Sequence, residues 1–71
     1  MPGAAHVISE YQDLLARTET LIREFQPSLS AGAVITTVVS CRNQLRNAGV
    51  RRGLAIAAEA MARARLQVRL S

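Results

Sequence analysis

Residues 30–49, SAGAVITTVVSCRNQLRNAG, are the stretch that decides the predicted fold. Ser30 is a favourable N-cap, because its hydroxyl can accept a hydrogen bond from a free N–H group of the first helical turn. Gly49 lies where helices often end through a left-handed residue, a conformation that glycine adopts without strain. Apolar residues between them recur at spacings of three and four: Val34, Val38, Cys41, Leu45 and Ala48. This pattern predicts a helix over about residues 30–48 with one face in a core.

A second, smaller apolar edge runs along the same helix. Ile35 and Val39 lie on it, next to Arg42 and Arg46. A helix whose apolar surface extends beyond one stripe usually packs against more than one neighbour. The segments before and after it are each predicted to be such a neighbour.

The segment before Ser30 predicts an amphipathic helix over about residues 9–26. Ser9 and Gln12 have the S-x-x-Q spacing of a capping box, and Pro27 disfavours helical geometry in the residue that precedes it. The expected core-facing arc of this helix contains Val7, Tyr11, Leu14, Leu15, Thr18, Leu21, Ile22 and Phe25. Residues 1–8 are predicted to form a flexible N-terminal tail.

The segment after Gly49 predicts a third helix over about residues 52–69. Its expected core stripe is Leu54, Ala57, Met61, Ala64 and Val68. Leu66 and Leu70 fall on the arginine-rich side instead, where they form an exposed partner surface or, if the last turn bends, cover the end of the core. Three amphipathic helices with short connections predict an all-α fold, an antiparallel three-helix bundle over residues 9–71.

The composition limits both the stability of the domain and its chemistry. A chain of 71 residues makes one small domain with a limited core. Its single cysteine excludes an intrachain disulfide, and one histidine with one cysteine does not supply the roughly four ligands of a structural zinc site. Tight helix packing and oligomerisation are the means of stabilisation that remain, which favours a dimer.

The sequence also predicts a cytoplasmic protein that does not enter a membrane. No apolar run approaches the roughly 20 residues that span a bilayer, and the N-terminus lacks the charged and apolar regions of a signal peptide. A single thiol suits a reducing compartment. The third helix is basic, but it lacks the aromatic anchors of a helix that lies on a lipid surface.

Charge divides the chain into an acidic and a basic half. Residues 1–29 hold four acidic residues and two arginines, whereas residues 30–71 hold seven arginines and one glutamate. A basic half can bind nucleic acid or another anionic surface. Equally, an acidic first helix can lie beside basic second and third helices, or two copies can pair head to tail.

The chain from Leu21 to Leu66 resembles a known family. The similar segments include LIREF at 21–25, the L-x-x-x-G-V-x-x-x-L pattern at 45–54 and AEAMARARL at 58–66. In these segments the chain is similar to the three-helix bundle domain at the N-terminus of actinobacterial proteins of the arsenate-reductase and low-molecular-weight tyrosine-phosphatase type. That domain also occurs as small free-standing proteins. The residues that carry the resemblance are Leu21, Phe25, Ser30, Val34, Val38, Leu45, Leu54, Glu59, Ala62, Arg63, Arg65 and Leu66.

The resemblance implies dimerisation and not catalysis. Phosphatases of this type carry a C-x-x-x-x-x-R phosphate loop, but the residue six positions after Cys41 is Asn47. Cys41 is also predicted to lie inside a helix, where a buried free cysteine packs as a small hydrophobic residue. The sequence has no glycine-rich phosphate loop and no paired carboxylates beside a histidine. We therefore predict no catalytic residue, no metal ligand and no cofactor, and expect that the chain is not an enzyme.

An alternative interpretation treats the second and third helices as a helix-turn-helix around Gly49. Leu45 occupies the position at which a small residue usually permits the close helix crossing, and the would-be recognition helix is mostly alanine, with few amides to read base edges. In this alternative the chain is a small basic DNA-binding regulator or an antitoxin-like protein. Its expected phosphate contacts are Arg42, Arg46, Arg51 and Arg52.

The sequence thus predicts a non-catalytic protein–protein association module, expected to be a homodimer. A role as the accessory partner of a larger protein is a second form of this function. The candidate interface residues are Ile35, Val39, Arg42, Arg46, Ile56, Leu66 and Leu70. Their burial between two copies is the expected source of binding energy.

Overall fold

A computed structural model describes the backbone of residues 2–71 and the side chains from residue 10 onward. Its helices are α1 (Pro2–Phe25), α2 (Ala31–Asn47) and α3 (Leu54–Leu70). The helices pack against one another, and no strand is present in the described residues. The short connections make successive helices antiparallel, so the predicted all-α three-helix bundle is confirmed.

The sequence signals at both ends of α2 are confirmed. The Ser30 hydroxyl accepts a hydrogen bond from the Ala33 N–H at 3.1 Å. At the other end, the Gly49 N–H donates to the Arg46 carbonyl at 3.0 Å, and Gly49 has a φ of +91°. Three residues of the predicted α2 stripe, Val34, Val38 and Cys41, are buried in the core. Leu45 is only partly buried, and the placement of Ala48 in the core is wrong, because Ala48 is exposed at the end of the helix.

Helix α1 begins earlier than its capping signal predicted. It starts at Pro2, seven residues before Ser9. Proline suits the first helical position because its missing N–H would have no partner there, and the alanines that follow it have high helix propensity. The flexibility predicted for residues 1–8 stays a prediction, and the side chain of Val7 lies outside the described residues.

The core-facing arc of α1 is narrower than predicted. Leu21 and Phe25 are buried, and Leu14 and Ile22 are partly buried against the core cluster. The placement of Tyr11 and Leu15 in the core is wrong, because their side chains are 62% and 45% exposed. One edge of the predicted arc therefore stays outside the core.

The core stripe predicted for α3 is also wrong, because the helix is rotated relative to it. The buried residues of α3 are Ala55, Ala58, Ala62 and Leu66. Val68, expected in the core, is 73% exposed, whereas Leu66, a candidate interface residue, is fully buried. Alanine stands at the centre of the buried face because it lets α3 approach both neighbours closely, and Met61 lies at the margin of the core.

Ion pairs join α1 to α3. Arg17 Nη1 lies 2.6 Å from Glu59 Oε1, and Arg17 Nε lies 2.9 Å from Asp13 Oδ1. Arg63 donates from Nε and Nη2 to the two carboxylate oxygens of Glu24, each at 3.0 Å. The acidic first helix therefore lies beside the basic third helix, which is one of the arrangements that the uneven charge allowed.

The Glu24–Arg63 pair makes the free energy of unfolding fall as the solution becomes acidic. Hydrogen bonds from Arg63 lower the pKa of Glu24 below its ordinary value of 4.5. Because the folded-state pKa is depressed, the contribution of this pair is present above pH 4.5 and is lost as the pH falls through the folded-state pKa. We expect Glu24→Gln to flatten the loss of unfolding free energy with acidification, measured by urea unfolding at a series of pH values.

The matched control for this prediction is Glu19→Gln. Glu19 is an exposed carboxylate on the same helix and makes no ion pair within the described part of the chain. The effect of Glu24→Gln is small, because the Glu24 side chain is 38% exposed. Identical pH dependence in the parent and in Glu24→Gln contradicts a role of this pair in stability.

Candidate functional site

The exposed apolar residues of α1 lie on the flank of the helix that points away from α3. Arg17 and Glu24 mark the α3 flank, since both form ion pairs with residues of α3. At about 100° per residue, Tyr11 and Leu15 project from the opposite side of the buried face. They therefore lie on the edge of α1 that adjoins α2.

The exposed apolar residues of α2 lie on the corresponding edge. Gln44 marks the α3 side of α2, since its side-chain oxygen accepts a hydrogen bond from Arg65 of α3. Ile35 and Val39, 45% and 46% exposed, project from the other side of the buried stripe, toward α1. We call the outer surface formed by Tyr11, Leu15, Ile35 and Val39 the α1–α2 face.

A depression of about 540 Å³ lies where α1 passes the loop between α2 and α3. Gly49 and Gly53 turn the chain there, with φ values of +91° and +65°. We call this depression the arginine pocket; its lining residues are Glu10, Arg42, Arg46, Gly49, Val50, Arg51 and Leu54. A smaller depression of about 130 Å³ shares Glu10, Arg42 and Leu54 and adds Tyr11 and Leu14. Tyr11 thus connects the arginine pocket to the α1–α2 face.

The charge of the arginine pocket is not balanced by ion pairs. Within residues 10–71, the ion pairs involve Arg17 and Arg63, on the side of the bundle where α1 meets α3. No described acidic side chain lies within ion-pair distance of Arg42, Arg46 or Arg51. Among the described residues that line it, the pocket therefore combines three arginines with one carboxylate, that of Glu10.

The structure brings together only part of the predicted interface. Ile35 and Val39 are exposed on one face, and Arg42 and Arg46 follow them along α2. Leu66 is excluded from this surface because it is fully buried.

Ile56 and Leu70 are exposed, but they lie on another surface of the bundle. Each is seven residues, or about two turns, from Arg63. Both therefore lie on the side of α3 from which Arg63 reaches Glu24 of α1.

The sequence did not identify Tyr11 and Leu15 as surface residues, because an apolar arc does not show which of its edges a neighbouring helix covers. Of the predicted phosphate contacts, Arg42, Arg46 and Arg51 line the arginine pocket, whereas Arg52 is not among its lining residues.

Cys41 is placed as its packing interpretation predicted. Its side chain is fully buried among Leu21, Val34 and other core residues. Burial raises the pKa of the Cys41 thiol, an effect that the charge of Arg65 opposes more weakly. A protonated, inaccessible thiol is a poor nucleophile, so this arrangement supports a packing role.

In the described part of the chain, no cluster of three or more histidine, cysteine, aspartate or glutamate residues is arranged to hold a metal ion. None of the helices described combines the length and the hydrophobicity that crossing a membrane requires.

Comparisons of the chain with protein-family models, with curated proteins and with solved structures gave no match.

Proposed function

We propose that the chain is a non-catalytic association module that forms a homodimer through the α1–α2 face. The observation that carries this proposal is the exposure of Tyr11, Leu15, Ile35 and Val39, which helical geometry places on the adjoining edges of α1 and α2. Single exposed apolar residues are common on protein surfaces. A contiguous group is typical of an interaction surface.

A second copy of the chain is the partner that the small core favours. Among residues 10–71, three of the nine buried residues are alanines, so this part of the monomer buries few large side chains. A two-fold dimer uses the same patch on both copies and therefore covers eight partly exposed side chains. Their burial contributes on the order of 6–12 kcal/mol, against an association cost of about 4–15 kcal/mol. We therefore expect a dimer whose population depends on concentration.

The resemblance of residues 21–66 to the dimerisation domain of arsenate-reductase-type proteins supports the same function. We propose this relationship together with a cytoplasmic location, which a single buried thiol suits. A role beside a larger protein is compatible with the same face, if that protein carries a copy of the domain.

Light scattering over a concentration series tests the proposal, with Val39→Glu as the disrupting variant. Val39 is 46% exposed, so the new carboxylate is solvated in the monomer but loses its water in the dimer. We expect the parent to reach the dimer mass with rising concentration and Val39→Glu to remain a monomer. Circular dichroism establishes that the variant is folded.

The matched control is Ile56→Glu. Ile56 is 57% exposed and lies on a surface of α3 away from the α1–α2 face. Its replacement by glutamate therefore introduces the same carboxylate outside the proposed interface. We expect this variant to dimerise like the parent. A monomeric parent at every concentration contradicts the homodimer, and equal loss of the dimer in both variants contradicts the choice of face.

A further inference from the structure

The arginine pocket has the size of a small-molecule site. Its volume of about 540 Å³ falls within the range of about 300–1,000 Å³ that is typical of ligand pockets. Three parts of the fold form it: the α1 residue Glu10, the last turns of α2, and the loop that leads into α3. The pocket therefore lies where the connection between α2 and α3 passes α1.

Its arginines are suited to a phosphate group. Arg42 and Arg46 are one helical turn apart, and Arg51 follows the turn at Gly49, so the three guanidinium groups approach the pocket from two elements. A guanidinium group donates two parallel hydrogen bonds to phosphate oxygens. Since these three arginines have no ion pair in the described residues, a bound anion need not displace a carboxylate.

The remaining lining residues indicate that the ligand has more than one chemical part. Val50 and Leu54 provide apolar surface, and Tyr11 and Leu14 extend it into the adjoining depression. Inorganic phosphate leaves this surface uncovered. A phosphate ester with an apolar or aromatic portion covers it.

We propose that the arginine pocket binds a small phosphate monoester, whose phosphate group contacts Arg42, Arg46 and Arg51 and whose organic part lies against Val50 and Leu54. Nucleic acid is the less suitable occupant, because the site is concave and because Arg52 does not line it. Glu10 repels a bound anion and so weakens the site, but the three arginines leave an excess of positive charge in the pocket.

Phenyl phosphate is the probe that tests this proposal, in an NMR titration of the full-length protein at fixed ionic strength. We expect saturable shifts of the amide signals of Gly49–Leu54, with weaker binding of inorganic phosphate and of benzoate. Arg42→Gln and Arg51→Gln are each expected to weaken binding at least about tenfold, the loss of one charge-assisted contact. Arg51 is an exposed loop residue, so the test does not depend on the folding of the Arg42 variant.

Two further variants separate the pocket from general electrostatic attraction. Arg69→Gln, in the last turn of α3, removes an arginine that does not line the pocket and is expected to leave binding unchanged. Glu10→Gln is expected to strengthen binding about threefold. Equal effects of Arg69→Gln and Arg51→Gln overturn the proposal. So does binding of a single-stranded oligonucleotide without binding of phenyl phosphate, which indicates a nucleic-acid surface instead.

Discussion

Replacement of Leu66 by alanine is expected to lower the free energy of unfolding by about 2–5 kcal/mol. Leu66 is fully buried and is one of the largest buried side chains, so its truncation removes apolar contacts and leaves a cavity that rigid helices fill only in part. A domain of this size has a total stability of roughly 4–10 kcal/mol. We therefore expect the urea midpoint of the variant to fall by roughly half relative to the parent, as measured by circular dichroism during urea titration.

The control is Leu70→Ala, one turn further along the same helix. Leu70 is 48% exposed, so its truncation is expected to cost less than about 1 kcal/mol. Both variants are compared with the parent at one protein concentration, because dimerisation couples stability to concentration. Equally small losses for Leu66→Ala and Leu70→Ala contradict the observed orientation of α3 and agree with the orientation that the sequence predicted, in which both leucines lie outside the core stripe.

The sequence predicted α2 well because its residue types differ sharply between faces. Val34, Val38 and Cys41 lie on one side, and Ser30 and Gly49 give the helix distinct ends. Only one rotation of such a helix buries Val34, Val38 and Cys41 together and leaves the amides and arginines of its last turns outside the core. The orientation of α2 therefore follows from its own residues.

The residues of α3, unlike those of α2, do not determine which face of the helix is buried. Alanine occurs on two opposite sides of this helix, at positions 55, 58 and 62 on one side and 57, 60 and 64 on the other. Alanine fits both buried and exposed positions, so the stripe that begins at Ala55 can be buried even though the stripe that begins at Leu54 contains more large apolar residues. The choice depends on the neighbours of α3, because Glu59 and Arg63 must reach Arg17 and Glu24 of α1.

The candidate site was predictable on α2 and in the following loop, but not on α1. Ile35, Val39, Arg42 and Arg46 follow from the periodicity of one helix. To predict that Tyr11 lies at the surface, one must know the handedness of the bundle. The same apolar stripes allow α3 to pack on either side of the α1–α2 pair. In the structure, the ion pairs between α1 and α3 identify the flank of α1 that α3 covers, and they join residues far apart in sequence.

Replacement of Ala62 by leucine is expected to destabilise the fold by about 1–3 kcal/mol, although it adds apolar surface. Ala62 is fully buried at the centre of α3, within the core cluster that contains Leu21 and Leu66. A core packed to the density of a crystal has no room for three more carbon atoms, so the larger side chain must push α3 away from its neighbours. Urea unfolding measures the loss.

Ala60→Leu provides the comparison, because Ala60 is exposed on the same helix and the substitution is identical. Leucine and alanine have similar helix propensities, so this variant is expected to change the free energy of unfolding by less than about 0.5 kcal/mol. The difference between the free energies of unfolding of the two variants measures how much the fold depends on the close packing of α3 against its neighbours. If Ala62→Leu is as stable as Ala60→Leu, then α3 does not pack through its alanines, and the small size of these residues reflects helix propensity alone.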